Sequence, residues 1–351
     1  MALFKEHLYK MAAYAPPLEG RSVEKHLLLD FNERTLPVSE EVVEALCAFV
    51  RSGQIQKYPA YGDIVTELAK YVGVQSDQLM ITNGSDQGID LVVRAAVNKG
   101  DRAIIPAPSF AMYRQCAEVE DAEILAPQYD RETGYPTGEV LAEISANTRL
   151  IVAAQPNNPC GTAVSREDLE MILRAAPDAV VLVDECYYEY SQQTVVDLIG
   201  KYPNLVVTRT FSKTWGLPSL RFGFLVSQAN NIEQLLKIRG PYDINQLSIV
   251  AVRAALAAPD YTREYVHEVM GESKPMLENW LDERHIPYWK STANYIWAFF
   301  EQSEKLADYL LEQDILVRPK KDPDGKLGLR ITLGNMEQTQ KLIKVMEDFY
   351  R

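Results

Sequence analysis

Leu205-Val206-Val207-Thr208-Arg209-Thr210-Phe211-Ser212-Lys213-Thr214-Trp215-Gly216-Leu217-Pro218-Ser219-Leu220-Arg221-Phe222-Gly223-Phe224-Leu225-Val226 is a short apolar run, a polar turn and a second apolar run. Runs of this length, rich in β-branched and aromatic residues and bounded by glycine and proline, read as buried strands. Working outward, similar runs stand at Leu79–Thr82, Ala103–Pro106, Leu150–Ala154 and Ala179–Asp184. Helical periodicity fills the intervals, as in Asp86–Val97 and Arg166–Ala175. Alternating strands and helices predict an α/β fold, a mainly parallel sheet covered by helices on both faces.

The pattern changes after residue 250. Long helical segments are followed by strand candidates at Tyr295–Phe300, Ile315–Val317 and Gly328–Thr332 and by a closing helix, which suits a smaller α+β domain. Tyr14-Ala15-Pro16-Pro17 cannot continue a helix, so the beginning of the chain reads as an extended arm. A chain of 351 residues exceeds the usual single core. The expected organisation is an arm over 1–29, a large domain over 30–250 and a small domain over 251–351.

Composition bounds the function. Apolar residues at 47% and charged residues at 24% describe an ordinary globular chain. A formal net charge of −13 argues against a nucleic-acid partner, because binding to a phosphate backbone needs clustered Lys and Arg, yet it allows a local positive pocket for a small anion. Cys47, Cys116, Cys160 and Cys186 are scattered and form no CxxC pair, so neither a metal site nor a disulfide framework is expected. Met1–Lys10 lacks a long apolar run, and no stretch approaches the ~20 apolar residues of a membrane span. A cytoplasmic location without membrane contact is the expectation.

Two segments carry chemistry. The strand candidate Leu79–Thr82 runs into Asn83-Gly84-Ser85-Asp86-Gln87 and then a helix. A glycine permitting close backbone approach, followed by free helix N-terminal amides, can cradle a phosphate, although an ordinary capped helix has the same appearance. The second segment surrounds Lys213 with hydroxyls and adds Arg221 beyond a glycine and a proline. Hydroxyls and a guanidinium suit a phosphate monoester, and a lysine held beside them can condense with an aldehyde.

Asn158-Pro159-Cys160-Gly161, Asp184-Glu185-Cys186-Tyr187, Ser212-Lys213 and Arg221, in that order, resemble the fold-type I aminotransferases. Within that superfamily the chain most resembles the histidinol-phosphate aminotransferase family. The closer likeness rests on Gly84-Ser85-Asp86-Gln87, Pro108-Ser109-Phe110-Ala111-Met112-Tyr113, Asp314-Ile315-Leu316-Val317-Arg318-Pro319 and Leu329-Arg330-Ile331-Thr332-Leu333-Gly334, and it extends from about Tyr14 to the end.

The resemblance implies the fold-type I architecture, pyridoxal 5′-phosphate (PLP) as cofactor, and a role for each matching residue. Lys213 would anchor the cofactor and act as base. Asp184 would pair with the pyridine nitrogen, and Asn158 and Tyr187 would hold the phenolic oxygen. The amides of Ser85 and Asp86, the hydroxyls of Thr210 and Ser212, and Arg221 would cup the phosphate, with Phe110 stacked on the ring. Tyr58, in Lys57-Tyr58-Pro59, would reach the phosphate in a second subunit, implying a homodimer with shared sites. Arg330 would take the substrate carboxylate; with Arg318 it would hold a donor phosphate, and Tyr14 of the arm would close over the substrate.

The implied partners are a small amino donor and a 2-oxo acid, foremost histidinol phosphate and 2-oxoglutarate. An aromatic amino-acid aminotransferase is the alternative, and a decarboxylase or lyase on the same scaffold a further one. A PLP-binding regulator would need a basic DNA-binding module, which is not expected before the arm. Four departures from the family pattern bear on the substrate and not on the cofactor: Phe110 where tyrosine is common, Cys160 for threonine, Gln87 for glutamate, and Asn32-Glu33-Arg34-Thr35 for Asn-Glu-Asn-Pro.

Overall fold

The computed structural model describes residues 3–351. Its strands are β1 (Leu27–Leu29), β2 (Leu79–Asn83), β3 (Arg102–Ile104), β4 (Glu123–Leu125), β5 (Thr148–Ala154), β6 (Val180–Asp184), β7 (Leu205–Thr210), β8 (Phe222–Val226), β9 (Tyr288–Trp289), β10 (Tyr295–Ala298), β11 (Ile315–Lys321) and β12 (Leu327–Thr332). Seven of them form the larger sheet in the order β2-β8-β7-β6-β5-β3-β4. Its pairs are parallel except those that β8 makes with β2 and β7. The remaining five form the smaller sheet, β1-β11-β12-β10-β9.

Side-chain alternation explains why these strands read as continuous apolar runs. Ile81, Ile151, Val183, Val207 and Phe224 enter the core on one face of the larger sheet, against helices Arg166–Ala175 and Gln246–Ala257. Met80, Val152, Leu182, Val206 and Leu225 enter the core on the other face, against helix Gly84–Ala96. A strand buried on both faces gains ~1.5–3 kcal/mol from each fully buried large side chain and leaves no polar stripe. The smaller sheet turns Ile296, Ala298, Leu329 and Ile331 toward helices Lys274–Glu283 and Met336–Phe349, while Trp297 joins the large core.

The structure differs from the expected organisation at both boundaries. Leu27–Leu29, expected at the end of the arm, pairs parallel with β11 as the edge of the smaller sheet, with Leu29 buried in its core. Residue 250 falls inside helix Gln246–Ala257, which buries Ile249, Ala251, Val252 and Ala255 in the large core and is capped by the Asn245 side chain. The short strands β4 and β9 also went unread, because two or three residues show no period.

Directly after β6, Glu185 and Arg209 form a buried ion pair with Nη2 2.7 Å from Oε2. Glu185 also accepts from Val195 N at 2.8 Å and Thr194 Oγ1 at 2.9 Å, and Arg209 stacks 3.6 Å from the Tyr188 ring centroid. Burial pushes the Glu185 carboxyl up, and Arg209 opposes it. The pair fixes the turn beside Asp184. Arg209→Leu therefore leaves an uncompensated buried carboxylate and should cost about 3–5 kcal/mol. Urea denaturation checks this, with a lower midpoint expected at an unchanged slope.

Candidate active site

β5, β6 and β7 run parallel, and their C-terminal ends open onto a cavity of about 610 Å³. Asp184 is the last residue of β6, Thr210 the last of β7, and Asn158 lies in the turn after β5. All three line the cavity with Ser85, Phe110 and Lys213. Ligands of open α/β sheets bind at this edge because the loops there converge.

The anion-binding end is built around a backbone device. Gly84 opens helix Gly84–Ala96 at φ +72°, and a Cβ there would meet Arg221 Nη2 at 2.5 Å. Only glycine lets the guanidinium lie over the helix N-terminus, where unpaired amides and the helix dipole favour an anion. Arg221 itself sits at φ 53° after the turn Pro218–Leu220, and its Nη2 donates to Asp86 Oδ2 at 2.7 Å. Thr210 Oγ1 donates to Ser212 Oγ at 3.0 Å and accepts from Ser212 N at 3.1 Å, which fixes both hydroxyls at the cavity wall.

At the other end, Asp184 is buried and accepts from the Tyr113 hydroxyl and, at 2.9 Å, from Cys186 N. Burial raises its pKa while bonds from Cys186 and Tyr113 lower it. A carboxyl so placed stays ionised best against a cationic partner. Lys213 Nζ donates to the Phe31 carbonyl at 3.0 Å. Burial first, then the charge of Arg330, hold its proton affinity below that of an ordinary lysine, the direction that suits a base or nucleophile.

Tyr187 Oη accepts from Asn32 Nδ2 at 2.9 Å, and Asn158 Oδ1 accepts from Arg330 Nη1 at 2.6 Å. Each is left with a hydrogen to donate, from the phenol and from the amide nitrogen. Arg330 is buried and also donates to the Asp30 carbonyl. Phe110 meets Tyr113 edge-on with centroids 5.8 Å apart. Tyr14, 44% exposed, lines the cavity with Pro16 and Leu18, so the arm forms one wall. His7 Nε2 and Val119 O, 2.9 Å apart, tie that arm to helix Ala111–Val119.

Arg330, Arg318 and Tyr58 lie outside this lining, Arg330 touching it through Asn158. Arg318 faces Arg330 directly across the β11–β12 ladder and lies 5.4 Å from the centroid of Phe31, itself a lining residue. Tyr58 is 77% exposed and stacks on Tyr242 at 4.5 Å. A larger groove of about 1190 Å³, flanked by Ile286, Phe299 and Tyr350, includes none of the sequence-predicted residues.

Several contributors were not singled out from sequence. Tyr113 lies one helical turn beyond Phe110, a spacing that places both on one face. Asn32 adopts φ 55°, and Phe31 acts through its carbonyl, neither of which a side-chain pattern reveals. Lys320 alternates with Arg318 along β11 and so shares its face. Burial, then Arg330 and Arg318, lower its pKa to about 8.

These groups fit PLP. The cradle that a Cβ at Gly84 would fill matches a phosphate, the buried Asp184 a protonated pyridine nitrogen, and the low-affinity Lys213 amine an aldehyde. Asp184→Ala should cut turnover far more than it lowers the melting temperature, because its missing partner is the cofactor; paired kinetic and melting measurements check this. Lys213→Ala should lose ~10²–10⁴ in rate or more, and borohydride should no longer fix the yellow colour to the chain.

Comparison with known proteins agrees with this geometry. The family model "Aminotransferase class I and II" matches residues 24–346. The chain is 32% identical over 334 residues to a histidinol-phosphate aminotransferase of Thermoanaerobacter sp. (strain X514), covering 94% of this chain and 95% of that one. It is 33% identical over 363 residues to the enzyme of the same name from Limosilactobacillus fermentum, covering 99% of each. Among solved structures, the histidinol-phosphate aminotransferase of Sinorhizobium meliloti in complex with pyridoxal-5′-phosphate superposes with a TM-score of 0.88 over 99% of both chains, at 19% identity.

Proposed function

This chain belongs to the class I and II aminotransferases and is a PLP-dependent enzyme, and from that premise we propose that it transfers the amino group of histidinol phosphate to 2-oxoglutarate, giving imidazole-acetol phosphate and glutamate in histidine biosynthesis. Relatives carrying that name across nearly the whole chain support the reading. The observation that carries it is a set of cations without acids. Arg318 and Arg330 are directly opposed across β11 and β12, and Lys320 shares their face. Like charges directly opposed destabilise a sheet. Asp30 and Glu33 are engaged elsewhere, by Arg21 at 3.0 and 2.5 Å. One arginine suffices for a carboxylate, whereas a phosphate dianion accounts for the others.

When bound, PLP supplies an aldehyde for the donor amine and a ring that takes up electrons released at the donor carbon. Lys213 Nζ, with its lowered proton affinity, would be the base that takes up and returns the donor carbon's proton. Asp184 would pair with the ring nitrogen and favour its protonated form. The Tyr187 hydroxyl and the Asn158 amide would hold the phenolic oxygen, and Phe110 would pack on the ring. The Ser85 and Asp86 amides, Thr210, Ser212 and Arg221 hold its phosphate. Arg330 and Arg318 bind the far end of the donor, while Tyr14 closes the arm side against water.

We assign Tyr58 to a second copy of the chain. It is exposed in one patch with Tyr242, with Ile55 and Ile238 close by in sequence, and a homodimer would cover that patch and share Tyr58 between sites. Four unpaired cysteines suit the cytoplasm, and no helix among the described residues is long and apolar enough to cross a membrane.

Arg318→Leu tests the donor. Its kcat/KM for histidinol phosphate should fall by about 1.5–3 kcal/mol, the worth of a hydrogen bond to a charged group. The value for phenylalanine should hold. Equal loss for both donors, or no histidinol-phosphate activity in the parent, favours an aromatic amino-acid donor. Because Lys320 loses its proton above about pH 8, the parent's KM for histidinol phosphate should rise there, and Lys320→Met should flatten that rise.

A further inference from the structure

Arg34 is buried yet forms no ion pair among the described residues. Its guanidinium lies between two tyrosine rings, 4.4 Å from the centroid of Tyr261 and 4.3 Å from that of Tyr265, both in helix Asp260–Glu268. Its bonds go to neutral oxygens: Nη1 donates to the Thr214 carbonyl at 3.1 Å and to Thr262 Oγ1 at 3.4 Å, and Nη2 donates to the Tyr261 carbonyl at 3.4 Å. Thr214 is the residue after Lys213. Its hydroxyl is held by Glu189, which accepts from Thr214 Oγ1 at 3.1 Å and from Trp215 Nε1 at 2.9 Å.

A buried charge without a counter-charge is expensive, and simple packing would be met more cheaply by an apolar side chain. Here two aromatic faces and fixed carbonyl dipoles stabilise the cation, and the loop has been shaped to receive it. Gly216 stands at φ +70°, and a Cβ there would meet Arg34 Cδ at 2.9 Å. The segment bearing Arg34 also supplies the Phe31 carbonyl to Lys213 Nζ and the Asn32 amide to Tyr187, while Thr35 N donates to Tyr265 Oη at 3.1 Å.

We infer that Arg34 is a positioning residue for Lys213, clamping the Thr214 carbonyl to helix Asp260–Glu268 so that the loop carrying the reactive amine is registered against the smaller sheet. The inference needs Lys213 to be the cofactor-bearing amine and holds for any donor. A purely structural Arg34 would affect stability without affecting the state of the amine.

The test is Arg34→Met in the holoenzyme, read by kcat, by the pH midpoint of the bound cofactor's absorption band, and by hydrogen exchange at the Gly216 and Leu217 amides. Expected are a fall in kcat of roughly tenfold to a hundredfold, the scale of an ångström-sized misplacement, faster exchange at both amides and a displaced midpoint, with KM for 2-oxoglutarate little changed. Arg34→Lys should not restore the parent values, because an ammonium cannot span both rings and the carbonyl. If Arg34→Met fails to fold, Tyr261→Leu takes its place, since Tyr261 is 36% exposed and supplies one ring. A midpoint that stays at the parent value in the folded variant overturns the inference, whatever happens to the melting temperature.

Discussion

Ala154 is paired with Asp184, and Asp184 with Thr208, in one parallel register. β5 and β6 thus end level while β7 runs two residues further to Thr210, and the site is suspended from that edge: Asn158 after the first, Asp184 on the second, Lys213 after the third. A slip of one residue in β6 would turn Asp184 to the opposite face and break the Glu185–Arg209 pair beside it. The larger core enforces the register, because Leu182 and Val183 must enter opposite helix layers.

Arginines in this molecule fall into two kinds. Arg209 is balanced by Glu185 and stays within the fold, and Arg221 is balanced by Asp86. Among the described residues, Arg330, Arg34 and Arg318 find only neutral oxygens or aromatic rings. The first kind would be quiet without a ligand; the second stores unfavourable charge that an anion or a fixed dipole relieves. Lys213 lies within the field of the second kind, and its lowered proton affinity follows from Arg330 as well as from burial. An anion bound at Arg330 would therefore also raise the proton affinity of Lys213.

The strands of the larger sheet other than the edge strand β4 were legible because they are buried and read as apolar runs; Phe222–Val226 and helix Arg166–Ala175 match residue for residue. The residues lining the cavity were legible through spacing and family likeness, Lys213 and Asp184 foremost. Contributions made by backbone were not, since a carbonyl such as that of Phe31 leaves no mark in side-chain chemistry. Arg34 was visible only as a departure from a familiar pattern. Its meaning depends on Tyr261 and Tyr265, more than two hundred residues away in the chain. Leu27–Leu29 was missed for the same reason: an edge strand is defined by its partner, here β11.

That partnership sets an order of assembly. During synthesis the chain emerges from its N-terminus, so the larger sheet can close as soon as β8 has appeared. β1 must wait for Ile315–Val317, and with it wait Phe31, Asn32 and Arg34, which reach Lys213 and its neighbours only once the strand before them has docked. Between the appearance of β8 and that of β11 a nascent chain can thus hold the larger sheet and its lysine while lacking the groups that set the lysine's position. Residues among the first to be made are thus among the last to take their places around Lys213.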